Sequence, residues 1–168
     1  KEILGVQFRN MATMGGSVAS KFGFSDIIPA LLAVHADIVT YKGGRMSMQE
    51  YMNYREKDIL VEIRIPNHEV PVAIEALRIS RGDFPYLTGS IRHDDTGYKI
   101  YIGTRPGAPQ LAVKASALLS EKGLAALDEA AQIASEELVF QKNSHASKEY
   151  RVEMAKSMVR RLVKEVAQ

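Results

Sequence analysis

Residues 9–26 read Arg-Asn-Met-Ala-Thr-Met-Gly-Gly-Ser-Val-Ala-Ser-Lys-Phe-Gly-Phe-Ser-Asp. Thr13, Gly15, Gly16 and Ser17 set two residues without Cβ atoms between two hydroxyls. Backbone N–H groups at such a site can approach a phosphate, a ribityl chain or the edge of a flat polar ring. The plainer reading is a tight turn that needs glycine for its backbone angles. On the glycine motif alone the turn is favoured, because short glycine patterns recur by chance. Ser25-Asp26 then opens an apolar run, which puts a carboxylate at a helix start. Asp26 is equally a cap or a ligand there, since both roles use the same acceptor oxygens.

Composition narrows the chemistry. A chain of 168 residues supports one sizeable core or two small ones. A formal charge of +2 is too small to argue for nucleic acid or an anionic membrane surface. No apolar run is long enough to span a bilayer. The opening Lys-Glu-Ile-Leu-Gly-Val lacks a signal-peptide layout, so a cytoplasmic setting is expected. With no cysteine, the chain by itself supplies no disulfide, thiolate nucleophile or iron–sulfur ligand. His35, His68, His93 and His145 are scattered, and none pairs at helical spacing with another, so no metal site is expected. Any redox cofactor must be organic and non-covalently held.

Downstream, Ser25–Ala33 reads as a short capped helix in which Pro29 is tolerated early. Ala36–Tyr41 alternates like a strand and runs into Gly43-Gly44, a turn signal. Ser47–Tyr54 reads as a short helix, and Asp58–Ile65 as a strand stopped by Pro66. The best boundary falls at Pro66–Pro71. Strands follow at Val72–Arg81, at Tyr86–His93 with Gly89 as a weak point, and at Tyr98–Gly103. The last two are joined by Asp94-Asp95-Thr96-Gly97 turn chemistry. The remainder is helical: Gln110–Glu121, Leu124–Phe140, and a last helix capped by Ser147. Its apolar face is Met154, Ala155, Met158, Val159, Leu162 and Val166. The fold class is α+β, ending in a three-stranded antiparallel sheet under a three-helix layer.

Several ordered motifs resemble the FAD-binding (medium) subunit of molybdenum hydroxylases, the xanthine dehydrogenase and carbon monoxide dehydrogenase group. That family carries Arg-Asn-x-Ala-Thr-x-Gly-Gly-(Asn/Ser), which stands here as Arg9–Ser17. An Asp at fixed distance (Asp26), a Pro-Ala-Leu-Leu-Ala helix (Pro29–Ala33), a Gly-x-Arg hairpin (Gly43-Gly44-Arg45) and the strand Asp58–Pro66 follow in order. Leu77–Arg81, Ile102-Gly103-Thr104-Arg105-Pro106 and the Ser-x-x-Tyr-Arg of Ser147–Arg151 resemble the family's C-terminal domain.

The resemblance implies the end of a PCMH-type FAD-binding α+β subdomain at 1–68 and a CO dehydrogenase flavoprotein C-terminal-like domain at 69–168. It implies FAD contacts from Thr13, Met14, Gly15, Gly16 and Ser17. Asp26 would accept hydrogen bonds from a polar part of the cofactor, and Leu60 would pack on the adenine or flavin. Arg78 would stand as the basic residue near the flavin, and Ile3 where some relatives place an aromatic. The alternatives from the residues alone are Leu60 and Ile3 as core and Arg78 as a solvated sheet residue. No catalytic acid–base residue is implied. The implied partners are a molybdopterin-containing large subunit and a 2Fe-2S small subunit, with NAD or another acceptor.

The sequence departs from the family pattern in two ways. Lys21-Phe22-Gly23-Phe24 is bulkier than usual, and the upstream half bearing the first glycine loop is expected to be missing. The competing reading is a non-catalytic subunit-interaction module with no flavin binding of its own.

Overall fold

The computed structural model describes residues 5–67, 69–80 and 82–167. Ile3 and Arg81 lie outside these residues. The chain opens with two short helices, α1 (Val6–Met11) and α2 (Met14–Ala19), where sequence reading expects a loop. Thr13 explains the second: its hydroxyl accepts from the Gly16 N–H at 3.0 Å, satisfying one of the first-turn donors a helix leaves open. After α3 (Ile27–Ala33) come β1 (Asp37–Thr40), β2 (Gly44–Ser47), α4 (Met48–Asn53) and β3 (Leu60–Arg64). The three strands form an antiparallel sheet in the order β2-β1-β3. Its turn is held by Asp58, whose carboxylate accepts from the N–H groups of Lys42, Gly43 and Ile59 and from the Tyr54 hydroxyl. Partial burial pushes the Asp58 carboxyl up, but the N–H groups of Gly43 and Lys42, with the Thr40 hydroxyl, outweigh it. They hold it well below the usual carboxylate range. Ser47 and Glu50 cap α4 reciprocally.

The second sheet is antiparallel in the order β4 (Val72–Leu77), β5 (Leu87–Asp94), β6 (Gly97–Gly103), β7 (Gln110–Leu111). It has four strands rather than three. Gln110 and Leu111 pair with Ile102 and Tyr101 as a sheet edge, so α5 starts only at Val113 and ends at Lys122. A 3₁₀ turn over Gly123–Ala126 precedes α6 (Leu127–Glu137), shortening the helix expected over 124–140. Helix α7 (Lys148–Val166) begins at Ser147, whose hydroxyl accepts from the Tyr150 N–H. These three helices pack on one face of the sheet over Leu87, Ile91, Ile100, Leu119, Met158 and Leu162.

Helix α3 covers the other face, so β5 is buried on both sides as far as Arg92. That double cover explains Gly89: a Cβ there would stand 2.4 Å from Met158 Sδ, so glycine admits α7 rather than weakening the strand. On the opposite face Ser90 donates to the Pro29 carbonyl at 2.7 Å. Tyr51 is core, in one cluster with Ile28, Leu31 and Tyr101. The Glu137 carboxylate accepts from the Lys114 and Ala115 N–H groups that open α5.

Two buried arginines act as backbone clamps. Arg151 is fully buried and donates to the carbonyls of Tyr86 and Thr104 and to Asn143 Oδ1. Arg105 donates to the carbonyls of Ile102, Val139 and Ala108. Each ties irregular chain to the sheet, where unpartnered carbonyls would be costly.

Arg151→Ala leaves two buried carbonyls without a donor and is expected to lower unfolding free energy by about 3 kcal/mol in denaturant titration. Asp58 sets an acid dependence. Its folded pKa is depressed, so its contribution is complete above the ordinary carboxyl range and fades as pH falls through it. The stability gap between wild type and Asp58→Asn is therefore full at about pH 6 and narrower at about pH 3.

Candidate cofactor site

The two glycines of the opening motif do different work. A Cβ on Gly16 would sit 2.9 Å from Thr13 Oγ1, so Gly16 is needed for the cap. At Gly15 a Cβ would meet nothing within 4 Å among the described residues, and no positive φ calls for glycine there. Glycine within a helix costs roughly 0.5–1 kcal/mol relative to alanine, and the fold gains nothing from it at this position. The space in front of Gly15, beside first-turn N–H groups that have no intrahelical acceptor, is the kind a ligand's polar edge can enter. Ser17 turns inward on its own helix, donating to the Thr13 carbonyl at 2.9 Å.

Asp26 is not a side-chain cap. Ser25 takes that task, its Oγ accepting from the Ile28 N–H at 3.3 Å. The Asp26 carboxylate instead accepts from the Arg78 guanidinium at 2.5 Å, with both side chains less than a tenth exposed. Arg78, just past β4, also donates to the Asp83 carbonyl. It is therefore a buried, paired residue rather than a solvated one. Two residues 52 positions apart, singled out independently from the sequence, stand in direct contact.

Between α3 and the β4–β5 face lies a groove of about 430 Å³ lined by Met14, Asp26, Ile27, Ala30, Ile74 and Ala76, among others. Its second carboxylate, Glu75, is held by Arg161 through Nη2 at 2.6 Å and Nε at 3.1 Å. Both acids are thus matched by arginines, and the groove suits a flat, largely apolar group with a polar edge. A smaller pocket of about 60 Å³ shares Asp26 and Ile27 with it and adds Ser17 and Ser20. The structure therefore brings Met14, Ser17, Asp26 and Arg78 together. Leu60 lines neither cavity and packs against the first core, beside Ile63 and Met46.

Sequence reading missed the aromatic wall of the smaller pocket. Phe22 stacks on Phe24 at 5.0 Å, Phe24 meets Phe84 at 4.6 Å, and Phe8 meets Phe84 edge-on at 6.3 Å. The signal was the bulk of Lys21–Phe24. Its meaning depended on Phe84, which lies in the other half of the chain.

A family profile described as the FAD binding domain in molybdopterin dehydrogenase matches residues 1–68, and one described as the CO dehydrogenase flavoprotein C-terminal domain matches 73–166. The chain belongs to this flavoprotein family. No curated protein sequence matches it. Among solved structures it is similar to carbon monoxide dehydrogenase from Hydrogenophaga pseudoflava, with a TM-score of 0.86 at 25% identity over 99% of this chain. The CO dehydrogenase from Oligotropha carboxidovorans gives 0.84 at 23% over 98%, and quinoline 2-oxidoreductase from Pseudomonas putida 86 gives 0.84 at 19% over 99%. The chain spans 64% of the length of each of these solved chains.

FAD is the cofactor of the intact subunit in this family. The residues present fit part of such a group. The groove lies in the usual range for ligand sites, roughly 300–1,000 Å³. Gly15 leaves room for close approach, and the Asp26–Arg78 pair supplies both an acceptor and donors at one end. Among the described residues no cluster of His, Cys, Asp or Glu can hold a metal, and no helix is long and apolar enough to cross a membrane.

Breaking the buried pair from one side leaves an uncompensated charge. Asp26→Ala or Arg78→Met alone is expected to destabilise the fold by about 3 kcal/mol, and the double replacement by less than the sum. A double-mutant cycle in urea measures the difference.

Proposed function

We propose that this chain forms one wall of an FAD cleft in the flavoprotein subunit of a molybdenum hydroxylase. In that subunit FAD, when bound, would supply the redox chemistry that links iron–sulfur clusters of a partner subunit to NAD or another acceptor. The observation that carries the reading is Gly15: a helical glycine with open space before it and no structural demand for it. Family membership and the buried Asp26–Arg78 pair beside the groove support it.

In this assignment the first turn of α2 is the phosphate or ring-edge cradle. Thr13 fixes the turn by capping Gly16, Met14 closes one side of the groove, and Ser17 stiffens the helix. Asp26 and Arg78 present matched acceptor and donor groups to the polar edge of the ring without leaving a net charge. Leu60 backs this wall from the first core rather than from the groove. The flavin supplies the redox chemistry when bound. The protein contributes binding, orientation and electrostatics, and no side chain of this chain acts as an acid–base catalyst. The molybdopterin and 2Fe-2S centres belong to partner subunits, consistent with a chain that has no cysteine. The two family matches support an FAD-binding portion up to residue 68 and a C-terminal domain from residue 69.

Gly15→Ala separates cofactor binding from folding. The substitution is expected to leave thermal stability equal or slightly raised. It weakens flavin retention by the intact subunit about tenfold, some 1.4 kcal/mol. Flavin absorbance of the purified subunit and titration with FAD read the second effect, and thermal unfolding the first. A subunit that folds yet stays colourless with excess FAD overturns the reading in favour of a non-catalytic interaction module.

A further inference from the structure

The bulky segment Lys21–Phe24 makes a contact to a different element at nearly every residue. The Lys21 ammonium donates to the Tyr51 and Tyr54 carbonyls at 2.6 and 2.5 Å, at the end of α4, and lies 4.1 Å from the Tyr51 ring centroid. A cation at a helix C-terminus over an aromatic face is favourable twice over. Lys21 reaches this position with a φ of 51°, in the left-handed region that lysine rarely adopts. Gly23 is pressed against the 104–107 loop of the second sheet, where a Cβ would stand 2.7 Å from the Gly107 carbonyl carbon. Its carbonyl accepts from Thr104 Oγ1 at 2.8 Å. Phe24 meets Phe84 at a tilt of 58°, and two residues later Asp26 grips Arg78.

These contacts close a ring. From Phe24 the chain leads to Asp26, Asp26 to Arg78, Arg78 Nη1 to the Asp83 carbonyl, and Asp83 to Phe84, which returns to Phe24, while Lys21 anchors the segment that enters the ring. Four residues separate Lys21 from Asp26, and Gly23 has no room to shift toward Gly107, so little slack remains.

We propose that Lys21–Phe24 is a strap joining the two halves of the chain, and that Lys21 and Thr104 are positioning residues that hold Asp26 against Arg78. The strap thereby sets the spacing between α3 and β4, the two walls of the groove. Its importance for cofactor binding rests on the FAD reading; its mechanical role does not.

The test reads Arg78 directly, without flavin. In the wild-type chain, with isotope-labelled arginine, the side-chain N–H signal of Arg78 is sharp and protected from solvent exchange. Lys21→Met is expected to raise its exchange rate about tenfold. Lys21→Arg, which keeps donors for both carbonyls, restores protection. Thr104→Val, which removes the hydroxyl that holds Gly23 together with its contact to Thr88, moves the signal in the same direction. The Arg105 side-chain signal, from the separate backbone clamp, stays unchanged in the lysine variants. The proposal is overturned if Lys21→Met leaves Arg78 protection within about twofold of wild type. It is equally overturned if the variant raises Arg78 and Arg105 exchange alike, which marks general loosening. A colourless but strapped protein defeats the FAD reading alone.

Discussion

The contact on which the site depends is the buried pair of Asp26 and Arg78. It joins the residue that opens α3 to the residue that follows β4, and each side chain is less than a tenth exposed. Neither charge tolerates that burial alone, because removing an ion from water costs several kcal/mol before any partner returns it. The pair therefore constrains how α3 lies on the second sheet. From this follow the double cover of β5, the glycine at position 89 that α7 crosses, and the walls of the groove.

Three of the cations in the interior share one use. Arg105 and Arg151 have no carboxylate among their described hydrogen-bond partners and are spent on carbonyls of irregular chain, and Lys21 on the carbonyls that end α4. Burial pushes the pKa of each of these groups down, yet the arginines start far above neutrality and stay charged. Placing cations on carbonyls leaves the site with matched acids, Asp26 with Arg78 and Glu75 with Arg161. The groove is consequently apolar with one polar end, and its balance suits a flat ring better than a multiply charged group.

Local chemistry made much of the fold legible. Ser47 with Glu50, Ser147, Gly43-Gly44 and Asp94–Gly97 each mark a boundary through short-range hydrogen bonds or turn geometry, and the elements they bound stand where expected. Failures came where a distant partner decides. Gln110-Leu111 has helix-compatible residues but is captured by β6. Gly89 looks like a weak strand position until Met158 is set above it. In the site, Thr13 through Ser17 were legible as a unit because cap and glycines are neighbours. Asp26 was left between cap and ligand because its actual partner lies 52 residues away.

The sequence by itself determined the α+β class, the order of the elements from α3 to β6, the glycine motif and its kinship, since these rest on local propensity, spacing and ordered motifs. Tertiary structure alone decided what each part is for. It separated Gly16, which the cap requires, from Gly15, which nothing in the fold requires. It moved Asp26 from the helix cap to Arg78, placed Leu60 in a core and built an aromatic wall from phenylalanines of both halves. The reason is physical: burial, charge matching and free space depend on which distant residues the folded chain brings within contact, and no local pattern carries that information.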